Sequence, residues 1–218
     1  MIGLGWLFRL VYPPKCVLCR QVLPSAQMDL CHHCREQVPE YPKGKKKRQF
    51  LDSWTAVWYY EGSVRSSVLR YKFSRARHYA KSYGRLLAMK IQKDYPDGFD
   101  ILTWVPVSRI RKFTRGYDQV ALLARAVGRE LGVKPVPLLK KIRHNPPQSG
   151  IHGYSRRRAN VLGVYRCRNE KMTEKKRILL LDDIITTGAT AGECARVLLT
   201  AGASEVHCAV LAAVRDTK

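Results

Sequence analysis

The sequence of 218 residues is poor in acidic residues, with 17 Asp and Glu against 40 Lys and Arg, and its formal net charge is +23. It lacks any run of about 18 apolar residues, so we expect no membrane-spanning helix. No Gly-Lys-Ser or Gly-Lys-Thr triplet occurs, which excludes a P-loop. The apolar start carries its charge late and lacks a small-residue cleavage site, so a signal peptide is not expected.

The positive charge is unevenly distributed along the chain. Residues 43–93 hold 14 basic and 2 acidic side chains, and residues 107–177 hold 19 and 4. Residues 178–218 hold only 3 basic and 5 acidic side chains. This surplus exceeds what one small anionic substrate requires, and it favours a polyanion such as DNA or RNA.

Aromatic residues lie among the basic ones, which is typical of proteins that hold single strands by stacking on the bases. Trp54, Trp58 and Tyr60 alternate as one face of a strand would, so we predict that they belong to the core. The candidates for stacking, with burial in the core as the alternative, are Tyr71, Phe73, Tyr79 and Tyr83.

Residues 178–190, ILLLDDIITTGAT, place two carboxylates after a continuous aliphatic run. Such a run is typical of a central strand in a parallel sheet, where both faces are buried. Helical spacing follows Gly188, and a second strand-like run begins at Glu205. This order predicts a parallel β-α-β unit, whose ligands bind beyond the carboxyl ends of the strands.

The two halves of this stretch suit two parts of one ligand. The small residues can direct backbone N–H groups, hydroxyls and a helix N-terminus at a phosphate. Asp182 and Asp183 would repel phosphate, so they suit a neutral polyhydroxylic group or a cation. A ribose 5-phosphate meets both requirements, and the alternative is an acidic turn that caps a helix without a ligand. The loop residues are Thr186, Thr187, Gly188, Ala189 and Thr190.

Four cysteines near the start of the chain form two C-x-x-C pairs separated by eleven residues: Cys16, Cys19, Cys31 and Cys34. Four thiolates at this spacing predict a closed, structural zinc site. The alternatives are two disulfides, or His32 or His33 as a substitute ligand. We predict that Cys167, Cys194 and Cys208 are ordinary buried thiols, consistent with a reducing cytoplasm.

Residues 178–190 resemble the phosphoribosyl pyrophosphate (PRPP) signature of type I phosphoribosyltransferases. In that family the paired acids hold the ribose hydroxyls and the loop holds the 5-phosphate. The resemblance implies the first role for Asp182 and Asp183 and the second for Thr186 to Thr190. It also implies an α/β fold with a parallel sheet flanked by helices, and Mg²⁺ bound with PRPP.

The order of the segments narrows this resemblance. The chain resembles the ComF/ComFC family of competence proteins from about residue 12 to its end. It shares with that family the order of four segments: the zinc knuckle, WVPVSRIRKFTRGYDQVALLARAV, PPQSGIHGYSRRRANVLGVY and the PRPP loop. Gln148, Arg158 and Asn160 fit the family's second segment. Asp118 departs from the family, because an Asn is expected before Gln119.

Two loops should complete the site. The turn SRIRKFTRGYDQ, which leads from a strand into a helix at about 117–131, is the expected pyrophosphate loop. Its residues are Val107, Ser108, Arg109, Arg115 and Gly116; the alternative for Arg115 is a pair with a surface acid. Residues 143–160 are predicted to form a long mobile lid. Its polar members are Gln148, Arg156, Arg157 and Arg158.

The expected domain organisation is a zinc-binding module over residues 1–42, a basic, solvated linker over 43–52, and a phosphoribosyltransferase-like domain over 53–218. The apolar start of the chain is predicted to form a short helix that packs on the zinc module.

The resemblance leaves two functions open. The first is a DNA-uptake factor of natural transformation that binds single-stranded DNA and PRPP or ribose 5-phosphate, with a DNA-translocating ATPase as a further partner. The second is an active phosphoribosyltransferase acting on a nitrogen base or amine. The sequence shows no catalytic residue, base-selecting pocket or glutaminase-like segment for the second function. We expect a cytoplasmic protein, either free or peripheral at the inner face of the cell membrane.

Overall fold

The computed structural model describes residues 13–42, 48, 50–143 and 160–215. In chain order its elements are α1 (His32–Gln37), β1 (Ser53–Tyr59), α2 (Gly62–Phe73), α3 (Tyr79–Asp94), β2 (Ile101–Trp104), α4 (Arg109–Arg115), α5 (Gln119–Leu131), β3 (Leu139–Lys141), β4 (Tyr165–Cys167), a 3₁₀ turn (Glu170–Met172), β5 (Arg177–Ile185), α6 (Ala189–Thr200) and β6 (Glu205–Ala213). Four parallel strands form one sheet in the order β1-β6-β5-β2, and β3 pairs with β4 as an antiparallel hairpin. Among these residues, no helix has the length and apolar character needed to cross a membrane.

Strand β5 lies inside the sheet because its aliphatic run has no polar face. Ile178, Leu179, Leu180 and Leu181 are each 0 % exposed. Ile178 and Leu180 pack into one hydrophobic cluster, and Leu179 and Leu181 pack into the other, on the opposite face. Burial on both faces is what the continuous run predicted.

Helices cover both faces of the sheet. Helices α2, α3 and α5 pack on one face, and α6 packs with the β3–β4 hairpin on the other. Helices α3 and α5 come into close contact at Gly84, where a Cβ atom would lie 2.5 Å from that of Ala126. The predicted α/β fold with a parallel sheet is therefore confirmed.

The cysteine-containing segment packs on the outer side of α2 and α3. The Arg70 guanidinium donates to the carbonyl of Leu18. Asp29 is 9 % exposed and pairs with Arg85, whose Nε lies 2.9 Å from the Asp29 Oδ2 atom. Because these partners come from two helices, the segment shares its packing with the larger domain.

Two of the four described residues of the basic linker pack against the larger domain, whereas Phe50 and Asp52 are exposed. Leu51 is 3 % exposed, and the Arg48 guanidinium lies 4.7 Å from the ring centroid of Trp54. Arg48, within the run 43–48 that was expected to be solvated, is therefore half-buried. The predicted N-terminal helix falls within residues 1–12, outside the described residues.

Most of the predicted stacking residues are buried. Tyr71 and Tyr83 are 0 % exposed and Tyr79 is 8 % exposed, so the stacking prediction was wrong for these three; Phe73 alone is exposed, at 64 %. Their rings pack against one another, and the Tyr71 hydroxyl donates to the carbonyl of Gln119 at 2.6 Å. Because a partnered hydroxyl can be buried at little cost, these tyrosines serve the core.

Candidate functional site

The predicted ribose and phosphate residues lie where β5 ends. Both acids belong to the last residues of β5, and the turn after it leads into α6 at Ala189. Gly188 caps this helix with a φ angle of 80°, a left-handed conformation that only glycine adopts readily. The N-terminus of the 12-residue α6 therefore lies at the carboxyl edge of the sheet, as a phosphate loop requires.

Asp183 is buried within a polar cluster that draws on three elements. Its side-chain Oδ1 lies 2.8 Å from the Lys72 Nζ at the end of α2. Its Oδ2 accepts a hydrogen bond of 3.1 Å from the Gln119 Nε2 at the start of α5. Asp183 itself is 6 % exposed, so this carboxylate is shielded and paired with a cation.

Asp182 has a different environment. Its Oδ1 accepts a hydrogen bond of 2.8 Å from the backbone N–H of Asp183. Burial raises the pKa of Asp182 to about 8, and the neighbouring Asp183 carboxylate acts in the same direction. At neutral pH, Asp182 is therefore mostly protonated.

Replacing Asp182 with Asn should make stability less dependent on pH. The unfolded Asp loses its proton near pH 4, whereas folded Asp182 keeps it to about pH 8. Between these values the folded state holds more protons, so the free energy of unfolding of the wild type falls as pH rises. Urea unfolding from about pH 5 to 9 should show the wild type losing stability relative to Asp182→Asn. Exposed Asp97→Asn is the matched control, and parallel curves for Asp182→Asn and wild type would contradict the prediction.

An arginine from the linker also reaches the phosphate loop. The Arg48 Nη1 donates a hydrogen bond of 2.9 Å to the backbone carbonyl of Thr187. A Cβ atom at Gly188 would lie 3.0 Å from the Arg48 Cδ. Arg48 thus adds positive charge beside the loop, where a phosphate would benefit from it.

The expected pyrophosphate loop is largely helical, which corrects the sequence prediction. Ser108 caps α4 by accepting a hydrogen bond from the Arg111 N–H, and Gly116 ends it with a φ angle of 74°. Among these residues Arg109 is exposed, whereas Arg115 is half-buried with its guanidinium 4.9 Å from the Phe73 ring centroid. Burial lowers the pKa of Arg115, and the charge of Asp183 opposes this effect. Arg115 therefore lies within electrostatic reach of Asp183.

Asp118, which stands where the ComF/ComFC resemblance predicts an Asn, has a clear structural role. Its side chain caps α5 by accepting a hydrogen bond of 2.9 Å from the Ala121 N–H. Asp and Asn are equally good helix caps, so the replacement keeps this role.

Three residues of the cluster were not predicted as site residues. Lys72 and Arg48 lie in basic stretches where no local pattern distinguishes them, and Gln119 was noted only as part of a family segment. Conversely, the predicted lid residues lie outside the described part of the chain. These are Gln148, Arg156, Arg157 and Arg158.

A cleft of about 1020 Å³ opens beyond the end of β2, between α4, the start of α5 and the β3–β4 hairpin. Among its described lining residues, seven are cationic and Asp118 is the one acid. Trp104 adds aromatic surface, whereas Tyr117 is only 6 % exposed. The cationic residues are Arg109, Lys112, Arg125, Lys140, Lys141, Arg143 and Arg168.

Burial and a neighbouring positive charge both affect one of these cationic groups, Lys141. Burial lowers the pKa of Lys141 to about 8, and Arg111 acts in the same direction. An anion in the cleft would relieve this repulsion, because it offers the lysine a counter-charge. The cleft is therefore suited to bind a polyanion.

The four N-terminal cysteines meet at one point. Their Sγ atoms all lie within 4.8 Å of one another, and those of Cys19 and Cys31 are 3.6 Å apart. A disulfide requires about 2.05 Å. Around a tetrahedral zinc with Zn–S bonds of about 2.3 Å, sulfur atoms lie about 3.8 Å apart, so the geometry fits zinc.

The other candidate ligands and thiols lie apart from this cluster. His32 and His33 are exposed, and His32 Nδ1 lies 3.2 Å from the Glu36 Oε2. Cys194 and Cys208 are fully buried, as predicted, whereas Cys167 is half-buried.

Comparison with known proteins gives matches over both parts of the chain. The family model of the phosphoribosyl transferase domain matches residues 120–218, and that of the double zinc ribbon domain matches residues 7–45. The second match and the four-cysteine cluster together support a structural zinc.

Curated relatives include competence proteins. Competence protein F of Haemophilus influenzae is 25% identical over 220 residues, which cover 88% of this chain and 94% of that protein. Competence protein ComFC of Bacillus subtilis is 29% identical over 147 residues, or 67% of this chain and 58% of that protein. Among solved structures, one of glutamine PRPP amidotransferase from B. subtilis, complexed with ADP and GMP, aligns with a TM-score of 0.42 and 21% identity. The alignment covers 65% of this chain and 30% of the amidotransferase chain. The chain is therefore a homologue of competence protein F and ComFC, with a phosphoribosyl transferase domain and an N-terminal double zinc ribbon domain.

Proposed function

We propose that this protein binds single-stranded DNA in the cationic cleft and PRPP or ribose 5-phosphate at the end of β5, as a DNA-uptake factor of natural transformation. The observation that carries this proposal is the cleft itself, in which seven cationic residues and one acid lie at the carboxyl edge of the sheet. A single pyrophosphate would need only a few of these charges, whereas a strand of nucleotides can use them all.

The shape and composition of the cleft support a single strand rather than a duplex. Trp104, which is half-buried, lies in its wall, and aromatic faces bind unpaired bases without sequence preference. Phe113 on the neighbouring α4 is 90% exposed and offers a further stacking surface. Helix α4 carries four Arg and Lys residues among its seven, so this exposed ring lies among cationic side chains beside the cleft.

The end of β5 supports the phosphoribosyl ligand. The N-terminus of α6 and Arg48 provide positive charge for a phosphate, while Asp183 provides an acceptor for hydroxyl groups. This arrangement matches the two parts of a ribose 5-phosphate.

An active phosphoribosyltransferase is the second candidate, and the match of residues 120–218 to the phosphoribosyl transferase domain favours it. Transfer of the ribose 5-phosphate from PRPP would require a base or amine beside the ribose. Release of pyrophosphate would show that this reaction takes place. A DNA-translocating ATPase as a partner and a position at the inner face of the membrane remain proposals tied to the DNA-uptake role.

Replacing Asp183 with Asn should weaken binding of ribose 5-phosphate by about tenfold or more, because a hydrogen bond to a charged group is worth about 1.5–3 kcal/mol. Isothermal titration calorimetry at neutral pH measures this change directly. Asp182→Asn should have a smaller effect at that pH, because Asp182 is already mostly neutral. Equal affinity of the wild type and Asp183→Asn would remove Asp183 from the ligand site, and pyrophosphate release with a base but no DNA binding would establish the second candidate.

A further inference from the structure

Lys72 gives Asp183 a counter-ion supplied by the protein itself. The Lys72 Nζ lies 2.8 Å from the Asp183 Oδ1, and the two side chains are 16% and 8% exposed. A charge pair this close and this shielded attracts far more strongly than an exposed surface pair. The negative charge of Asp183 is thus neutralised before any ligand binds.

The position of Lys72 is fixed by the residue before it. The Tyr71 hydroxyl donates to the carbonyl of Gln119 at 2.6 Å, and the Tyr71 carbonyl accepts a hydrogen bond from the Tyr117 hydroxyl. These bonds tie the end of α2 to the start of α5. Since Gln119 also donates to Asp183, the same tie aligns both partners of this carboxylate.

The oxygen atoms of the acid pair are a poor match for a divalent cation. Mg²⁺ requires several oxygen ligands in near-octahedral geometry at about 2.0–2.1 Å. At Asp183, Lys72 contacts Oδ1 and Gln119 contacts Oδ2, while the Asp182 Oδ1 accepts the Asp183 N–H. A cation at Asp183 would have to bind beside the Lys72 ammonium at Oδ1 or beside the Gln119 amide at Oδ2. The pair therefore does not fit a protein-held Mg²⁺.

One polar atom in this cluster remains open to a ligand. The Gln119 Oε1 is buried and has no hydrogen-bond partner among the described residues. Gln119 is 2% exposed, so leaving this carbonyl oxygen unpaired costs free energy. A ligand hydroxyl could satisfy it, whereas a second cation is not needed.

We propose that Lys72 is the built-in counter-ion of the acid pair, so that Asp183 and Gln119 bind the hydroxyls of a phosphoribosyl ligand without a divalent cation. This inference rests on the proposed ribose site and specifies how that site is neutralised. It concerns the acids alone, and Mg²⁺ carried by the pyrophosphate group of PRPP is a separate matter.

Ribose 5-phosphate is the probe that tests this, because it lacks the pyrophosphate that would bring its own Mg²⁺. Calorimetry on the zinc-loaded protein is carried out in metal-depleted buffer and in millimolar MgCl₂, without a chelator that would remove the zinc. Wild-type affinity should agree within about threefold between the two buffers. The affinity of Lys72→Met for ribose 5-phosphate should be about tenfold or more lower than that of the wild type in the metal-depleted buffer, because a unit charge a few ångströms away has an effect of that size. Mg²⁺ should restore part of this affinity.

A second measurement counts bound Mn²⁺ by electron paramagnetic resonance. The wild type and the exposed control Lys81→Met should bind equal amounts. Lys72→Met should bind one Mn²⁺ ion more than the wild type. The double variant Lys72→Met, Asp183→Asn should lose this additional ion. The wild-type calorimetry keeps the proposal testable even if Lys72→Met folds poorly, which circular dichroism and zinc content would reveal.

The possible failures are distinguishable. If wild-type binding of ribose 5-phosphate requires Mg²⁺, or if Asp183→Asn removes an Mn²⁺ ion from the wild type, the counter-ion role of Lys72 is overturned while the ribose site stands. If ribose 5-phosphate binds in neither buffer, the ribose site itself is wrong and the role of Lys72 falls with it.

Discussion

The double variant Cys16→Ser, Cys31→Ser should lose its zinc and unfold the segment 13–42. Structural zinc in small modules contributes an apparent binding free energy of about 10–16 kcal/mol at neutral pH, which folds the module. The segment has little regular secondary structure to hold the four thiols together without a metal, since its helix α1 is six residues long and buries only Cys34. Metal analysis should find about one zinc per wild-type chain and nearly none in the variant.

The packing of this segment on α2 and α3 extends the effect to the larger domain. The contacts of Arg70 with Leu18 and of Arg85 with Asp29 would be lost together. Limited proteolysis should therefore cut first within residues 13–42, and the rest of the domain should unfold at lower urea. Cys167→Ser is the matched control, because Cys167 lies outside the cluster. Full zinc retention by the double variant would refute the site.

Binding of single-stranded DNA should weaken steeply as salt rises. Each phosphate contact contributes a slope of roughly −0.7 in log affinity against log salt for single strands. Replacing Lys112, Lys140 and Arg143 with Ala should make this slope shallower by about one to two units, because these exposed residues line the cleft and not every one will contact a phosphate. Fluorescence anisotropy with a labelled oligonucleotide at several salt concentrations measures it.

A control variant separates direct contacts from general attraction. Lys81, Lys93 and Arg129 are exposed and lie outside the lining of the cleft, and their replacement with Ala removes the same charge. Long-range attraction alone would weaken binding equally in both variants and leave their slopes alike. Equal slopes, or no binding of single strands by the wild type near physiological salt, would refute the cleft as the DNA site.

Several features could be predicted because their physical cause is local in the chain. A continuous aliphatic run such as residues 178–181 has no polar face, so it must lie inside a sheet. The spacing of the four cysteines brings the thiols within reach of one metal ion. The loop at 186–190 follows a strand and precedes a helix, and this order alone places it at the carboxyl edge of a parallel sheet.

Helix α4 shows where a local signal was present but weak. Ser108 is a good cap, straight-chain Arg and Lys residues follow it, and Gly116 ends the helix. Because α4 buries none of its residues, it has no apolar stripe to reveal it in the sequence. The expected loop residues Arg109 and Arg115 therefore lie on a helix rather than in an extended turn.

The sequence by itself determined the parallel sheet, the cysteine cluster, the basic surplus and the position of the acids. Only the tertiary structure decided which cations meet those acids and which aromatic residues face solvent. Lys72 reaches Asp183 from α2, and Arg48 reaches Thr187 across a separation of 139 residues. Such pairs depend on how helices pack on the sheet, and the periodicity of a sequence reports only neighbours within a turn or two of the chain. Burial of Tyr71 and Tyr83 has the same cause, because the packing of α2 on α3 and α5 supplied the partners that their hydroxyls require.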